Sequence, residues 1–495
     1  MLLTACSPAP PSAPPSSSIG SLNARPRGGE AAPWSYEITA SPDASEINVR
    51  ASLPPGSPAE LSVDTGAEPF VKDVEIEQDG VFYAVAEEGG SWLAPSCQAE
   101  GCRLRYRFLL ADAADSIGDF GVAASHGAAI LAPPSTWLLR PLRARGGRPY
   151  RFRVDPAAGE SFVTGVFPAP DGSPHTYQAD VSDLPAAPYS AFGAVRSVVL
   201  RERGSSIVVA FLPGELEAAD DVILAWVASA ARVTASYYGR FPVSRALVMI
   251  LPSEGDRVGY ARTLGNGGAS IVAPVGRYAG QEFFARDWVM THEMVHLGFP
   301  NVPRRNAWIE EGIATYVEPI ARARMGDISP EKVWRDLARG LPNGLPEPGD
   351  RGLDNTPTWG RKYWGGALFC LLADIEIRKR TNNSRSLDDA LRAILAAGGN
   401  VAVRWPLERA LDEGDRALGA PILRELHARH GSSPETTDLD DLFKRLGVRV
   451  RGRAVTFDDA APLAFVRRAL TEPAREDDKT ASIQLNLFKI QSNKQ

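Results

Sequence analysis

The spacing of apolar residues changes period along this chain, and that change requires at least two kinds of layer. From Trp34 to about Arg203, short runs alternate apolar and polar residues, as in Ser35-Tyr36-Glu37-Ile38-Thr39, Glu46-Ile47-Asn48-Val49-Arg50 and Arg103-Leu104-Arg105-Tyr106-Arg107-Phe108. A period of two places every second side chain on one face of a strand. Pro, Gly, Asp and Ser punctuate these runs, and regularly spaced short strands with turn signals predict a β-sandwich. Near residue 206 the pattern becomes mixed. Ile207–Phe211, Ala246–Leu251 and Ser270–Ala273 read as buried strands, and Leu216–Tyr238 as an amphipathic helix. Gln281–Leu297 and Trp308–Met325 carry helical spacing, with Pro319 expected to kink or end the second. Residues 325–360 read as a Gly/Pro-rich loop, and after Lys362 the chain is almost all helix. Ser386-Leu387-Asp388-Asp389 opens one of these helices like a capping box.

The expected architecture is therefore multidomain α+β. It runs as a Pro/Ser-rich tether at 1–33, a β-sandwich at 34–205, a mixed domain at 206–385, a helical domain at 386–470 and a disordered tail at 471–495.

Composition excludes several classes. The chain has 495 residues, 44% of them hydrophobic and 23% charged, the balance of a globular protein. Its net charge of −6 argues against a general nucleic-acid binder, which would show a basic excess. The longest apolar runs, Val222–Ala228 and Ala367–Ala373, fall far short of the ~20 residues that span a bilayer.

The segment with the most chemistry is His292-Glu293-Met294-Val295-His296. On a helix, positions i and i+4 share a face, so two imidazoles converge on one point, as a tetrahedral zinc site requires. Glu293 then points to the neighbouring face, where it can reach a water activated by the metal rather than the metal itself. A third ligand must come from elsewhere. Downstream lies Trp308-Ile309-Glu310-Glu311-Gly312-Ile313-Ala314-Thr315-Tyr316-Val317-Glu318, followed by Tyr363-Trp364-Gly365-Gly366-Ala367.

At these residues the chain resembles the gluzincin zinc peptidases, whose third ligand is a Glu from a following helix. The aminopeptidase branch carries a W-L-N-E-G-F-A-x-Y-x-E type segment, and Glu311, Gly312, Ala314, Tyr316 and Glu318 match it. Fourteen residues separate His296 from Glu311, somewhat fewer than is usual there. Tyr363, Gly366 and Ala367 match the family's Y-x-K-G-A motif, with Gly365 in place of the Lys. The continuation through Asp374, and then Ser386–Asp389, looks like the glycyl-aminopeptidase-type members, which also begin with a β-sandwich. The PDZ domain common in that group is expected to be missing.

The resemblance implies a thermolysin-like catalytic domain with Zn2+ held by His292, His296 and Glu311. It implies Glu293 as general base, Tyr363 as oxyanion donor, and a peptide or protein as substrate. It also implies a Gly-rich edge strand for the substrate backbone, for which Gly267, Gly268 and Ala269 are the candidates. No Glu follows them to hold a free amine, which leaves Glu310 or Glu318 for that role and leaves exopeptidase and endopeptidase both open. The rival reading is a catalytically silent envelope lipoprotein that keeps the fold for binding.

Export is read from the start of the chain. Leu3-Thr4-Ala5-Cys6 looks like a bacterial lipobox, with Cys6 lipidated and Pro8–Ser18 as a tether. Only five residues precede Cys6, short of the ~7–15 apolar residues of an export signal, so the expectation is either a start placed too late or a trimmed sequence. The expected location is the bacterial cell envelope, facing the periplasm, with membrane contact only through that lipid. In such an oxidising compartment Cys97 and Cys102 are placed to form a small disulfide loop.

Overall fold

The computed structural model describes residues 32–142, 146–473 and the backbone of 484–485. Cys6, its tether up to residue 31 and most of the 471–495 tail lie outside the described residues.

Strict alternation builds the first layers. Ile47–Leu53 buries every second residue, and it sits in a seven-stranded sheet. The strand order of that sheet is Thr176–Asp180, Pro149–Asp155, Trp34–Ala40, Ile47–Leu53, Cys102–Phe108, Val71–Gln78, Val81–Ala84. Two four-stranded sheets accompany it, and one apolar core joins residues of all three, with Trp137 edge-on to Phe152, Phe162 and Phe192.

The next sheet has six strands, in the order Arg262–Leu264, Ser270–Gly276, Arg245–Ser253, Ser205–Phe211, Arg196–Glu202, Gln484–Leu485. Arg196–Glu202, read from sequence as the end of the sandwich, pairs antiparallel with Ser205–Phe211 and so belongs to this sheet. Its alternation is that of any half-buried strand and does not say which sheet it joins. Asp220–Tyr238 covers the sheet and packs Ile223, Trp226 and Val227 against Met290, Met294 and Leu297 in one core.

The helical half shares one core that runs from Val233 to Leu470, so no break in packing falls at residue 385. Three local expectations give way to tertiary context. Trp308–Met325 continues through Pro319, because Tyr316, Val317, Ile320 and Ala321 around it are all buried in that core. The segment 325–360 contains a helix, Pro330–Gly340, capped by Ser329 and packed through Val333, Trp334 and Leu337. The Gln281–Leu297 pattern is two helices, Gln281–Arg286 and Val289–His296, separated by extended backbone at Asp287. The capping box at Ser386 and Asp389 is formed, with Ser386 N donating to Asp389 Oδ2 at 2.8 Å. No helix among the described residues is long and apolar enough to cross a membrane.

Candidate metal centre

The break at Asp287 creates the helix that matters. Its carboxylate accepts from Met290 N at 3.2 Å, satisfying one of the free amides of the first turn, and from Trp226 Nε1 at 2.9 Å. Val289–His296 is thereby anchored to the helix behind it. Met290 and Met294 point into the sheet core, and His292 and His296 share the other face, with ring centroids 5.0 Å apart.

Glu311 comes from Trp308–Met325. That helix crosses Gly366–Arg380 so closely that a Cβ on Gly312 would lie 2.4 Å from Gly366 Cα, a contact only glycine permits. The short connection from His296 is held by Glu310, whose Oε1 accepts from Val302 N at 2.6 Å. The outcome is three donors at one point. Glu311 Oε2 lies 3.5 Å from His292 Nε2 and 3.5 Å from His296 Nε2, and all three donor atoms fall within 4.8 Å of one another.

A tetrahedral ion with bonds of about 2.0–2.2 Å sets its ligand atoms roughly 3.3–3.6 Å apart, so this donor set fits zinc. The electrostatics agree. Burial works against charge on Glu311, but hydrogen bonds from both imidazoles outweigh it and hold the carboxyl well below its usual range. Burial also lowers His296, yet the Glu311 bond, with Glu293 and Glu310 nearby, lifts it to about 9. The point between the three side chains therefore favours positive charge, which protons supply when no metal is bound.

Glu293 is buried beside the triad, and its Oε2 accepts from the Thr263 hydroxyl at 2.7 Å. Tyr363 sits on a single π-helical turn, Arg361–Gly365, with its ring stacked on His292 at 6.3 Å between centroids. Burial, and then the Glu311 and Glu293 carboxylates, push its hydroxyl above the ordinary value, so it stays protonated as a donor at neutral pH. The turn is pinned from below by Arg361, which pairs with the buried Asp350 at 2.8 Å and donates to Gly344 O. His292 Nδ1 has no protein partner, so Trp288, edge-on at 5.4 Å, and Tyr363 orient the ring by packing. Two exposed tryptophans, Trp288 and Trp359, and the fully exposed Tyr260 rim the site.

Gly267, Gly268 and Ala269 do not line it. Gly267 N donates to Ala402 O at 2.8 Å, Phe167 N donates to Gly267 O at 3.2 Å, and Ala269 N donates to Gly165 O at 2.9 Å. A Cβ on Gly268 would lie 2.1 Å from Gly165 O, so the close approach the glycines allow is to the sandwich. The strand beside Glu293 is Arg262–Leu264, the outer edge of the central sheet. Three residues are too few for a periodicity signal, and sequence reasoning passed over it. Glu310 and Glu318 each hold a protein partner through Oε1, the first Val302 N and the second Arg322 at 2.8 Å. Cys97 and Cys102 form a disulfide inside the sandwich core, far along the chain from these elements.

No protein-family model and no curated protein matches the chain. Solved structures do. An aminopeptidase N family protein from Idiomarina loihiensis aligns with a TM-score of 0.65 at 15% identity, over 84% of this chain and 79% of that one. An M1 zinc metallopeptidase from Deinococcus radiodurans aligns with a TM-score of 0.50 at 14% identity, over 82% of this chain and 96% of its own. A mutant of that protein bound to a Tyr-Ser-Ala substrate gives 0.52 at 13% identity, over 82% and 95%. The chain thus has the fold of these proteins: a β-rich N-terminal part, a central sheet with its helices, and a helical C-terminal region.

Proposed function

We infer that this chain is a zinc-dependent peptidase that hydrolyses peptide bonds with a metal-activated water. The observation that carries this is the convergence of His292 Nε2, His296 Nε2 and Glu311 Oε2, with Glu293 and Tyr363 on either side. The fold neighbours support it, since one is named a zinc metallopeptidase and its mutant is titled as bound to a tripeptide. The segment after Tyr363, Gly366 and Ala367, through Asp374 and then Ser386–Asp389, favours the glycyl-aminopeptidase type within that fold. The lipobox-like start adds an envelope location to the reading.

Zinc held by His292, His296 and Glu311 would supply Lewis acidity and would lower the pKa of a water there toward ~7. The protein supplies the rest. Glu293 takes a proton from the attacking water and passes it to the leaving amine. Thr263 holds the Glu293 carboxylate by one of its oxygens, at 2.7 Å, and so fixes its direction. Tyr363 donates to the carbonyl oxygen as that oxygen gains charge.

The test is zinc content and turnover together. The wild-type chain should bind about one zinc and cleave peptides, and Glu311→Ala should lose most of the metal and keep its fold. Glu293→Gln should keep the metal and lose about 10²–10⁴ in turnover. Full zinc occupancy in Glu311→Ala would remove Glu311 from the site. A zinc-loaded wild type that cleaves no peptide would favour the binding-module reading.

A further inference from the structure

Residues 345–360 join the 3₁₀ turn Leu341–Gly344 to the turn that carries Tyr363. Two carboxylates of this segment, Asp350 and Asp354, hold different parts of the metal centre. Asp350 holds the Tyr363 turn. Its side chain is 1% exposed, pairs with Arg361 Nε at 2.8 Å, and accepts from Gly352 N at 2.7 Å through its other oxygen. Arg361 in turn donates to Gly344 O. Gly344 lies so close to the turn that a Cβ there would be 2.3 Å from Gly365 N. One guanidinium thus joins the Tyr363 turn to the segment that supports it.

Asp354 holds the start of the Glu311 helix. Its Oδ1 accepts from Trp308 Nε1 and from Asn306 Nδ2, both at 2.8 Å, and both donor residues are buried. Trp308 is the first residue of that helix and Glu311 the fourth. Asp354 Oδ2 meets His427 Nε2 at 2.9 Å, and the His427 ring stacks on Trp308. Burial works against charge on Asp354, but the bonds from His427, Trp308 and Asn306 outweigh it and keep the carboxyl below its usual range. Backbone bonds clamp the segment to the end of the same C-terminal helix, Ile422–His430. Leu353 N donates to His430 O and Asp354 N to Gly431 O, both at 2.9 Å.

A buried ion pair is a weak source of stability, because desolvation offsets much of the attraction, and its best-attested use is to fix a register. Here the two anchored elements carry a metal ligand and an oxyanion donor. Misplacing such a group by about 1 Å can cost about 10²-fold in rate. We propose that Asp354 and the Asp350–Arg361 pair are positioning residues, which set Glu311 and Tyr363 at a fixed separation through the short segment between them. Asp354 acts on the metal-ligand helix and Arg361 on the oxyanion donor. This rests on the peptidase reading above for the role of Tyr363.

The experiment compares the full chain as wild type, Asp354→Ala, Asp354→Asn, Arg361→Lys, Tyr363→Phe and the double variant of the last two. Asparagine keeps an acceptor for Trp308 and Asn306 and loses the charge. Lysine keeps a charge for Asp350 and loses the fork that also reaches Gly344 O. Zinc affinity is measured by competition with a chelator, and turnover on a tripeptide with zinc saturating. Calorimetry gives the affinity for a phosphinic analogue of that tripeptide, whose tetrahedral phosphorus imitates the intermediate. Asp354→Ala should weaken zinc by about tenfold and hardly change kcat once zinc is saturating, with Asp354→Asn between it and wild type. Arg361→Lys should leave zinc affinity unchanged and lower kcat by about tenfold at unchanged KM. In the Tyr363→Phe background the same change should cost nothing further, because the hydroxyl it would misplace is gone. A merely structural pair would lower the melting temperature alike in both backgrounds and cost the same factor with or without that hydroxyl. Multiplying losses in the double variant, or wild-type zinc affinity in Asp354→Ala, would overturn the proposal. A zinc-loaded wild type that holds the analogue but cleaves no peptide would sink the peptidase reading alone, and analogue affinity in the same cycle then decides the role of Arg361. A wild type that neither cleaves the peptide nor holds the analogue would sink both.

Discussion

Between Trp34 and Val195, Arg140 is the one buried charged side chain among the described residues, held by Asp64 at 2.7 Å and by Ser135 O. From Asp287 onward the chain buries His292, Glu293, Glu318, Arg322, Arg361, Asp374, Arg378, Asp388, Asp415 and Arg467. The sandwich keeps its other ion pairs on the outside. Arg107, for example, bridges Glu46 at 2.8 Å and Asp73 at 2.7 Å while 40% exposed. Taking a charge out of water costs several kcal/mol unless it is paired and hydrogen-bonded. A region that bears this cost repeatedly is organised around fixed polar positions, whereas the sandwich is organised around apolar and aromatic packing. Six of these, His292, Glu293, Glu318, Arg322, Asp374 and Arg378, lie on Val289–His296, Trp308–Met325 and Gly366–Arg380, the helices that carry the triad or cross the Glu311 helix, and this marks that part of the helical half as the part that positions chemistry.

The largest expected effect tests that contrast directly. Asp374 accepts from Arg378 Nε at 2.9 Å, from Tyr316 Oη at 3.0 Å and from Leu387 N at 3.0 Å, so it links three helices, one of them the Glu311 helix. Arg378→Met leaves that carboxylate buried without its cation and should cost about 3–5 kcal/mol. Arg107→Met on the sandwich face should cost less than about 1 kcal/mol. Urea unfolding of both variants measures the two. Equal losses would mean that the two regions do not handle charge differently.

Next in size is Tyr363→Phe, which removes one hydroxyl and keeps the ring against His292 and Trp359. The hydroxyl acts when the carbonyl oxygen gains charge, so its loss should fall on kcat, by ~10²–10³ or ~2.7–4 kcal/mol. Melting temperature and zinc content should hardly move. Wild-type turnover in this variant, on a peptide that Glu293→Gln cannot process, would make Tyr363 a packing residue and place the oxyanion donor elsewhere.

These two residues also show what could be read in advance. The layers were legible because period two and period 3.6 are local properties of the chain, and the spacing of His292 and His296 is legible for the same reason. Glu311 and Tyr363 became legible only through likeness of motif, since nothing local says that Gly312 and Gly366 touch. Asp287 was hidden in a helical pattern because its reason for breaking the helix, Trp226, is sixty-one residues away. The glycines at 267 and 268 signalled close approach but not its target, and the target is the sandwich. Pro330–Gly340 is the miss that the sequence could have prevented: Ser329-Pro330 followed by Val333, Trp334 and Leu337 is a start signal with an apolar face.

The smallest expected effect lies in the sandwich and tests whether its stability is separate from the site. Cys97 and Cys102 are five positions apart, bonded to each other and buried in the aromatic core. A cross-link stabilises mainly by restricting the unfolded chain, and a loop this short should contribute about 2 kcal/mol, against about 3 for fifteen residues. Replacing both cysteines with alanine should therefore lower the urea midpoint modestly. Turnover at a temperature well below melting should stay at the wild-type level, because no element of the metal centre packs on that loop in the sandwich core. Mass spectrometry of the untreated protein gives the accompanying check, with both thiols blocked before reduction and free after it. A fall in kcat without loss of fold would show that the sandwich transmits strain to the metal centre through its junction with Gly267 and Gly268. The two regions would then be one mechanical unit despite their opposite treatment of charge.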